Sequence, residues 1–186
     1  MVSKEVEFRV GSTTNGHATA HRGFVIGIDA TNLRQGGGRT HLIELVLAAD
    51  PPAHGVQKVI VWGGRETLTA LDDRRWLEKI SPAELDSGLF RRTLWQRFSL
   101  SRAARAAGCD LIFVPGGSYA GDFRQVVTMC QNMLPFESQE LWRYRWSIRI
   151  LKLLLLRIMQ SSTFKRADGV IFLTRYAQQE VLKVTG

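Results

Sequence analysis

The 186-residue sequence predicts an α/β fold built on a doubly wound parallel sheet. Three observations lead there. Short apolar runs rich in β-branched residues recur along the chain, segments of helical length separate them, and glycine or a polar turn closes most of the runs. Near-continuous hydrophobicity in a short run is the mark of a strand covered on both faces. Strands that alternate with helices imply right-handed βαβ units and hence parallel pairing.

The first run is Phe24-Val-Ile-Gly-Ile-Asp29, followed by Lys58-Val-Ile-Val-Trp62. Asp110-Leu-Ile-Phe-Val114, Gln125-Val-Val-Thr-Met-Cys130 and Gly169-Val-Ile-Phe-Leu-Thr174 come next, and Trp76-Leu-Glu-Lys-Ile80 reads as a weaker, short strand. A helix is expected from about Arg39 to Ala49, with Leu42, Leu45, Val46 and Ala49 on one face, stopped by Pro51-Pro52. Another is expected over 89–107, ending at Gly108 in the manner of a C-cap glycine. A third spans about 138–162, and the last runs from Arg175 to Val184 with Gly186 as its cap. The length suits one domain, placed at 23–186. Residues 1–22 lack the apolar core of a secretory signal and read as a polar tail, a candidate for disorder.

The formal net charge of +8 points to an anionic partner: a phosphorylated substrate, an anionic membrane surface or nucleic acid. Cys109 and Cys130 lie in strand-like surroundings and form no disulfide framework, which favours a reducing compartment. The histidines are scattered, and no zinc spacing, nucleophile elbow, P-loop or carboxylate pair for acid–base work is present, so no metal is expected.

Ile28-Asp-Ala-Thr-Asn-Leu-Arg-Gln-Gly-Gly-Gly-Arg-Thr-His41 carries a strand end, then Gly36, Gly37 and Gly38, then a helix start. Glycines admit close backbone approach, and a helix N-terminus favours anions such as phosphate. A tight turn with no ligand is the competing reading. His41 stands where a dinucleotide fingerprint needs its third glycine, and Gly63-Gly64-Arg65 lacks the acidic residue for a ribose. Arg65 leaves an NADP-dependent reductase as a remote alternative.

Ligands of open parallel sheets sit beyond the carboxyl ends of the strands. On that rim Gln131 and Asn132 follow one strand and Ser118 and Tyr119 another, all hydrogen-bonding groups. Asn132 before Pro135 equally suits simple turn formation. In the segment 141–159, Arg145, Arg149 and Lys152 form a narrow basic stripe beside an apolar face of Tyr144, Ile148, Leu151, Leu155 and Ile158. Such a helix fits an anionic membrane interface, and five charges exclude a transmembrane span. A buried helix with one basic edge is the alternative. Arg91, Arg92, Arg97, Arg102 and Arg105 make a second basic cluster, of the kind that is usually a solvated face.

Taken in order, these segments resemble the N-terminal, acceptor-side domain of bacterial GT-B glycosyltransferases of the large retaining, family 4-like group. The resemblance rests on Ile26-Gly-Ile-Asp29 with its Gly36-Gly37-Gly38 loop, Gly108-Cys-Asp-Leu-Ile-Phe-Val114, and Gln131-Asn-Met-Leu-Pro-Phe136. It continues through Ala167-Asp-Gly-Val-Ile-Phe-Leu-Thr174 and Tyr176-Ala-Gln-Gln-Glu-Val-Leu182, and so covers residues 24–186. It implies a Rossmann-like domain whose glycine loop approaches the phosphates of a nucleotide-sugar donor. The acceptor, lipid-linked or polysaccharide, would lie along the rim at the cytoplasmic membrane face, and no cofactor is implied. The donor half and its E-x₇-E motif are not in these residues, so the expectation is a fragment, a truncated frame or one partner of a split enzyme, inactive alone. Where relatives carry a rim histidine, this chain has Gly116-Gly117 and Cys130-Gln131-Asn132, and no catalytic residue is assigned. From another functional class, a non-enzymatic α/β module binding anionic partners such as nucleic acid stays open, although no nucleic-acid motif favours it.

Overall fold

The computed structural model describes residues 22–136 and 148–185. Six parallel strands form one sheet in the order β3-β2-β1-β4-β5-β6, the doubly wound, Rossmann-like arrangement. The strands are β1 (Phe24–Ala30), β2 (Val56–Gly63), β3 (Leu77–Ile80), β4 (Leu111–Val114), β5 (Val126–Cys130) and β6 (Gly169–Phe172). The helices are α1 (Gly37–Ala48), α2 (Arg65–Thr69), α3 (Leu89–Trp95), α4 (Ser101–Ala106), α5 (Ile148–Arg166) and α6 (Arg175–Thr185). Every strand expected from the apolar runs is present, the short one at Leu77–Ile80 included.

Alternation along β1 and β2 divides the core. Ile28 and Ala30 of β1 with Val59 and Val61 of β2 face α1, whose Leu42 and Val46 are buried while Leu45 stays at the surface. Val25, Ile60 and Trp62 face the other way, toward Trp95, Leu100 and Ala104 of the α3–α4 segment. The same face continues along β5 from Val126 to Cys130, where Cys130 meets Phe164 of α5 and Val181 of α6. The Phe136 and Phe164 rings stack there with centroids 5.9 Å apart. Burial pushes both thiols, Cys109 and Cys130, up to about 11, so each behaves as a small core hydrophobe.

Paired carboxylates pin the starts of the strands. Asp110, just before β4, accepts from the Val25 amide at 2.8 Å, and Asp168, just before β6, accepts from the Val126 amide at 2.8 Å. Each ties a strand to its neighbour at the amino edge of the sheet and so fixes register.

The structure departs from expectation in two places. The helix expected over 89–107 contains a π turn, Gln96–Leu100, between α3 and α4, and Gly108 closes it with φ 68°. The connection from β4 to β5, residues 115–125, contains no helix; it is a run of turns and bends that carries the buried Tyr119. The part of the third expected helix before Ile148 lies outside the described residues, and α5 continues to Arg166.

Gly27 shows how closely β1 is packed. A Cβ there would stand 2.8 Å from Cζ3 of Trp62 and 3.3 Å from Sγ of Cys109. Neither the buried indole nor the buried thiol has room to move. Gly27→Val is therefore expected to cost about 1–3 kcal/mol, read as a lower urea midpoint with an unchanged slope.

Candidate functional site

The strand order reverses between β1 and β4, the place where open parallel sheets have their ligand-binding crevice. Its floor is a polar network that no apolar-run analysis anticipates. Asp29, at the end of β1, is 3% exposed and accepts from the Thr31 amide at 3.0 Å and the Thr31 hydroxyl at 2.7 Å. Its second oxygen accepts from Nε2 of Gln96 at 2.5 Å. The same amide nitrogen lies 3.3 Å from Oγ1 of Thr31 and donates to the Ser118 carbonyl at 3.1 Å. Gln96 thus ties the loop after β1 to the loop after β4. It does so from the first residue of the π turn, and π turns occur frequently at functional sites. Burial raises the Asp29 carboxyl above its ordinary range, against the opposing pull of the hydrogen bonds from Thr31 and Gln96.

Above this floor lies the glycine loop. Gly36 has φ 75°, a conformation open to glycine, and Cβ atoms placed on Gly36 or Gly37 would meet nothing within 4 Å. Gly38 is different: a Cβ there would approach Leu33 at 2.9 Å and Oε1 of Gln131 at 3.3 Å. The glycine loop and the residue after β5 are therefore neighbours. Gln131 also reaches His41, Nε2 to Nδ1 at 3.2 Å. With the amide donating, Nδ1 is the acceptor and the ring proton sits on Nε2.

Of the rim residues read from the sequence, Gln131 lies beside Gly38 of the glycine loop, Asn132 and Tyr119 are engaged elsewhere, and Ser118 is buried. Asn132 accepts from the Leu134 amide at 3.1 Å and so closes the local turn. The Tyr119 side chain turns into the core, its hydroxyl 2.9 Å from Oγ of Ser101 and accepting from the Phe123 amide at 3.1 Å. Ser118 is 8% exposed and its hydroxyl has no partner among the described residues.

Two arginines flank the same crevice. Arg34, in the loop after β1, donates to the Ser87 carbonyl at 3.4 Å, and Arg92, on α3, donates to the Thr31 carbonyl at 3.3 Å. After β2, Gly64 packs on the Leu85 carbonyl and on Asp86, whose carboxylate accepts from the Arg65 amide at 2.7 Å.

Of the basic stripe, only the Lys152 side chain is described. Arg145 is outside the described residues, Arg149 is placed only as backbone within α5, and Lys152 is exposed. The apolar face of α5 does not pack inward: Leu151, Leu155 and Ile158 are 68%, 57% and 67% exposed. The residues turned toward the sheet are Gln160, Thr163 and Phe164. No helix among the described residues is long and apolar enough to cross a membrane, and none of their His, Cys, Asp and Glu side chains cluster in threes suited to a metal ion.

Sequence reasoning misses Gln96 and the roles of Asp29, Thr31 and Arg34, and it places Arg92 only within a basic cluster. The one available signal was an acidic residue closing an otherwise apolar strand. The raised Asp29 pKa gives a test. The carboxyl holds its proton more tightly when folded, so its contribution to stability is fully present below its ordinary pKa of 3.8 and is lost as pH rises through the folded value. The stability of the native chain relative to Asp29→Asn should therefore fall with rising pH, by about 1.4 kcal/mol for each pH unit of that window. Urea unfolding of both chains from acid to neutral pH measures it; a constant difference would rule out the raised pKa.

Compared with known proteins, the chain matches no family model, no curated protein and no solved structure.

Proposed function

We propose that this chain is the acceptor-side domain of a GT-B glycosyltransferase that moves a sugar from a nucleotide donor to a lipid-linked or polysaccharide acceptor. The observation that supports it most is the meeting of the glycine loop with Gln131 beside the strand-order reversal. Two motifs distant in sequence converge where an open parallel sheet takes its ligand. On this reading the exposed backbone of Gly36 and Gly37 approaches the donor diphosphate, and Gln131 borders the acceptor. An amide and a glycine backbone position substrates without exchanging protons at neutral pH, so the reacting groups and the bulk of the donor site belong to a second domain. The native protein that contains this chain, supplied with labelled UDP-, GDP- and dTDP-sugars and a lipid extract of its own cell, should move label into the lipid or polysaccharide fraction. Label that stays in nucleotide form with every donor overturns the proposal.

The reading also places the domain on the cytoplasmic face of an anionic membrane. Leu151, Leu155 and Ile158 are exposed on α5 beside Lys152, which gives that helix an apolar stripe with a basic margin. A basic side chain near an anionic surface contributes about 1 kcal/mol. Substituting Arg145, Arg149 and Lys152 together by Gln should then weaken binding to phosphatidylserine-containing liposomes on the order of a hundredfold. Unchanged sedimentation with liposomes would remove the membrane from the proposal.

A further inference from the structure

The crevice between the β1 and β4 loops carries two guanidinium groups that no carboxylate of the described residues pairs. Arg34 and Arg92 are both half-buried, and among the described residues neither guanidinium has a carboxylate within ion-pair distance. Asp29, buried in the same network, commits its oxygens to Thr31 and Gln96. The two arginines stand close enough to feel each other: burial, and then the charge of Arg34, hold Arg92 below its usual range. Among the described residues each is fastened to the backbone through Nη1, to Ser87 or to Thr31. The buried Nε of Arg92 has no acceptor among the described residues. Ser118, joined to the same network through its carbonyl, keeps a buried hydroxyl without a partner there.

Like charges brought together and partly desolvated cost free energy unless an anion joins them. A carboxylate would neutralise one of the two. A phosphate carries close to two charges and several terminal oxygens, enough for both guanidinium forks. We propose that Arg34 and Arg92 form a binding site for a phosphate group at the mouth of the crevice. The site does not depend on sugar transfer: a chain that fails the transfer assay still binds phosphate through these arginines if the proposal holds.

Inorganic diphosphate, titrated calorimetrically into the full chain at low salt, is the probe. The native chain should bind it and melt at a higher temperature in its presence. Arg34→Gln with Arg92→Gln should weaken binding at least about tenfold and abolish the melting shift. The exposed pair Arg97→Gln with Arg102→Gln should leave both nearly unchanged. Arg92→Lys keeps the charge and loses the fork, and should fall between. UDP and glucose 1-phosphate, run alongside, separate the sources: tighter binding of UDP assigns the phosphate to a nucleotide, tighter binding of glucose 1-phosphate to a sugar phosphate, and equal affinities to the phosphate itself. No binding by the native chain at millimolar diphosphate overturns the site, as does equal binding by the double variant. A double variant that melts well below the native chain without ligand overturns it too, because the arginines are then structural.

Discussion

A carboxylate buried at the end of the central strand must be satisfied by hydrogen bonds, and much of the carboxyl edge of this sheet is arranged around that need. An unpaired buried charge costs several kcal/mol, so Asp29 is tenable only while Thr31 and Gln96 hold their places. Thr31 is local and comes with the turn after β1. Gln96 is 67 residues away in sequence and arrives on a helix. The π turn at Gln96–Leu100 inserts extra chain into that helix, and Gln96 opens the turn while Trp95 and Leu100 on either side enter the core. Because the same amide holds the Ser118 carbonyl, the spacing of the two loops that frame the crevice is set by one side chain. The opening of the crevice and the burial of Asp29 are therefore one constraint seen from two sides.

The groups around that opening are suited to holding rather than reacting. Backbone at Gly36 and Gly37, the amide of Gln131 and the guanidinium groups of Arg34 and Arg92 are donors in fixed places. Both cysteines are buried with their thiols raised, which removes the two softest nucleophiles of the chain from chemistry near neutral pH. The division of labour suits a domain that presents a ligand to chemistry supplied elsewhere. The outward stripe on α5 lies on the face of the sheet shared with α3 and α4, opposite the layer formed by α1.

Most of the architecture was legible because it depends on short-range pattern. Runs such as Lys58-Val-Ile-Val-Trp62 fill both faces of a parallel sheet and have no other good use, and Gly108 and Pro51-Pro52 mark ends by conformational necessity. What escaped depends on long-range partners. Periodicity shows that Leu151, Leu155 and Ile158 share a face of their helix but not whether that face turns inward, and it turns out. Tyr119 reads as a rim residue, yet in the helix-free return to β5 its side chain turns into the core to meet Ser101. Gln96 looks like an ordinary polar residue in an amphipathic helix until Asp29 is set beside it. The glycine loop and Gln131 were each readable as ligand-facing, whereas their contact across 90 residues, made through His41, was not.

The place of β1 in the middle of the sheet has a consequence for synthesis. One edge of β1 is covered early, by β2, with α1 folding over the pair. Its other edge pairs with β4, and Val25 meets Asp110 only 85 residues later in the chain. A nascent chain that has displayed β1, α1 and β2 carries an open parallel edge until β4 (Leu111–Val114) has also left the ribosome, and Asp29 lacks Gln96 for most of that interval. Closing so long a loop costs little more entropy than closing one half its length, about 0.6 kcal/mol, so delay rather than thermodynamics is the hazard. During that delay the unpaired edge is the part of the molecule most open to wrong partners, and factors that shield nascent chains would act there first.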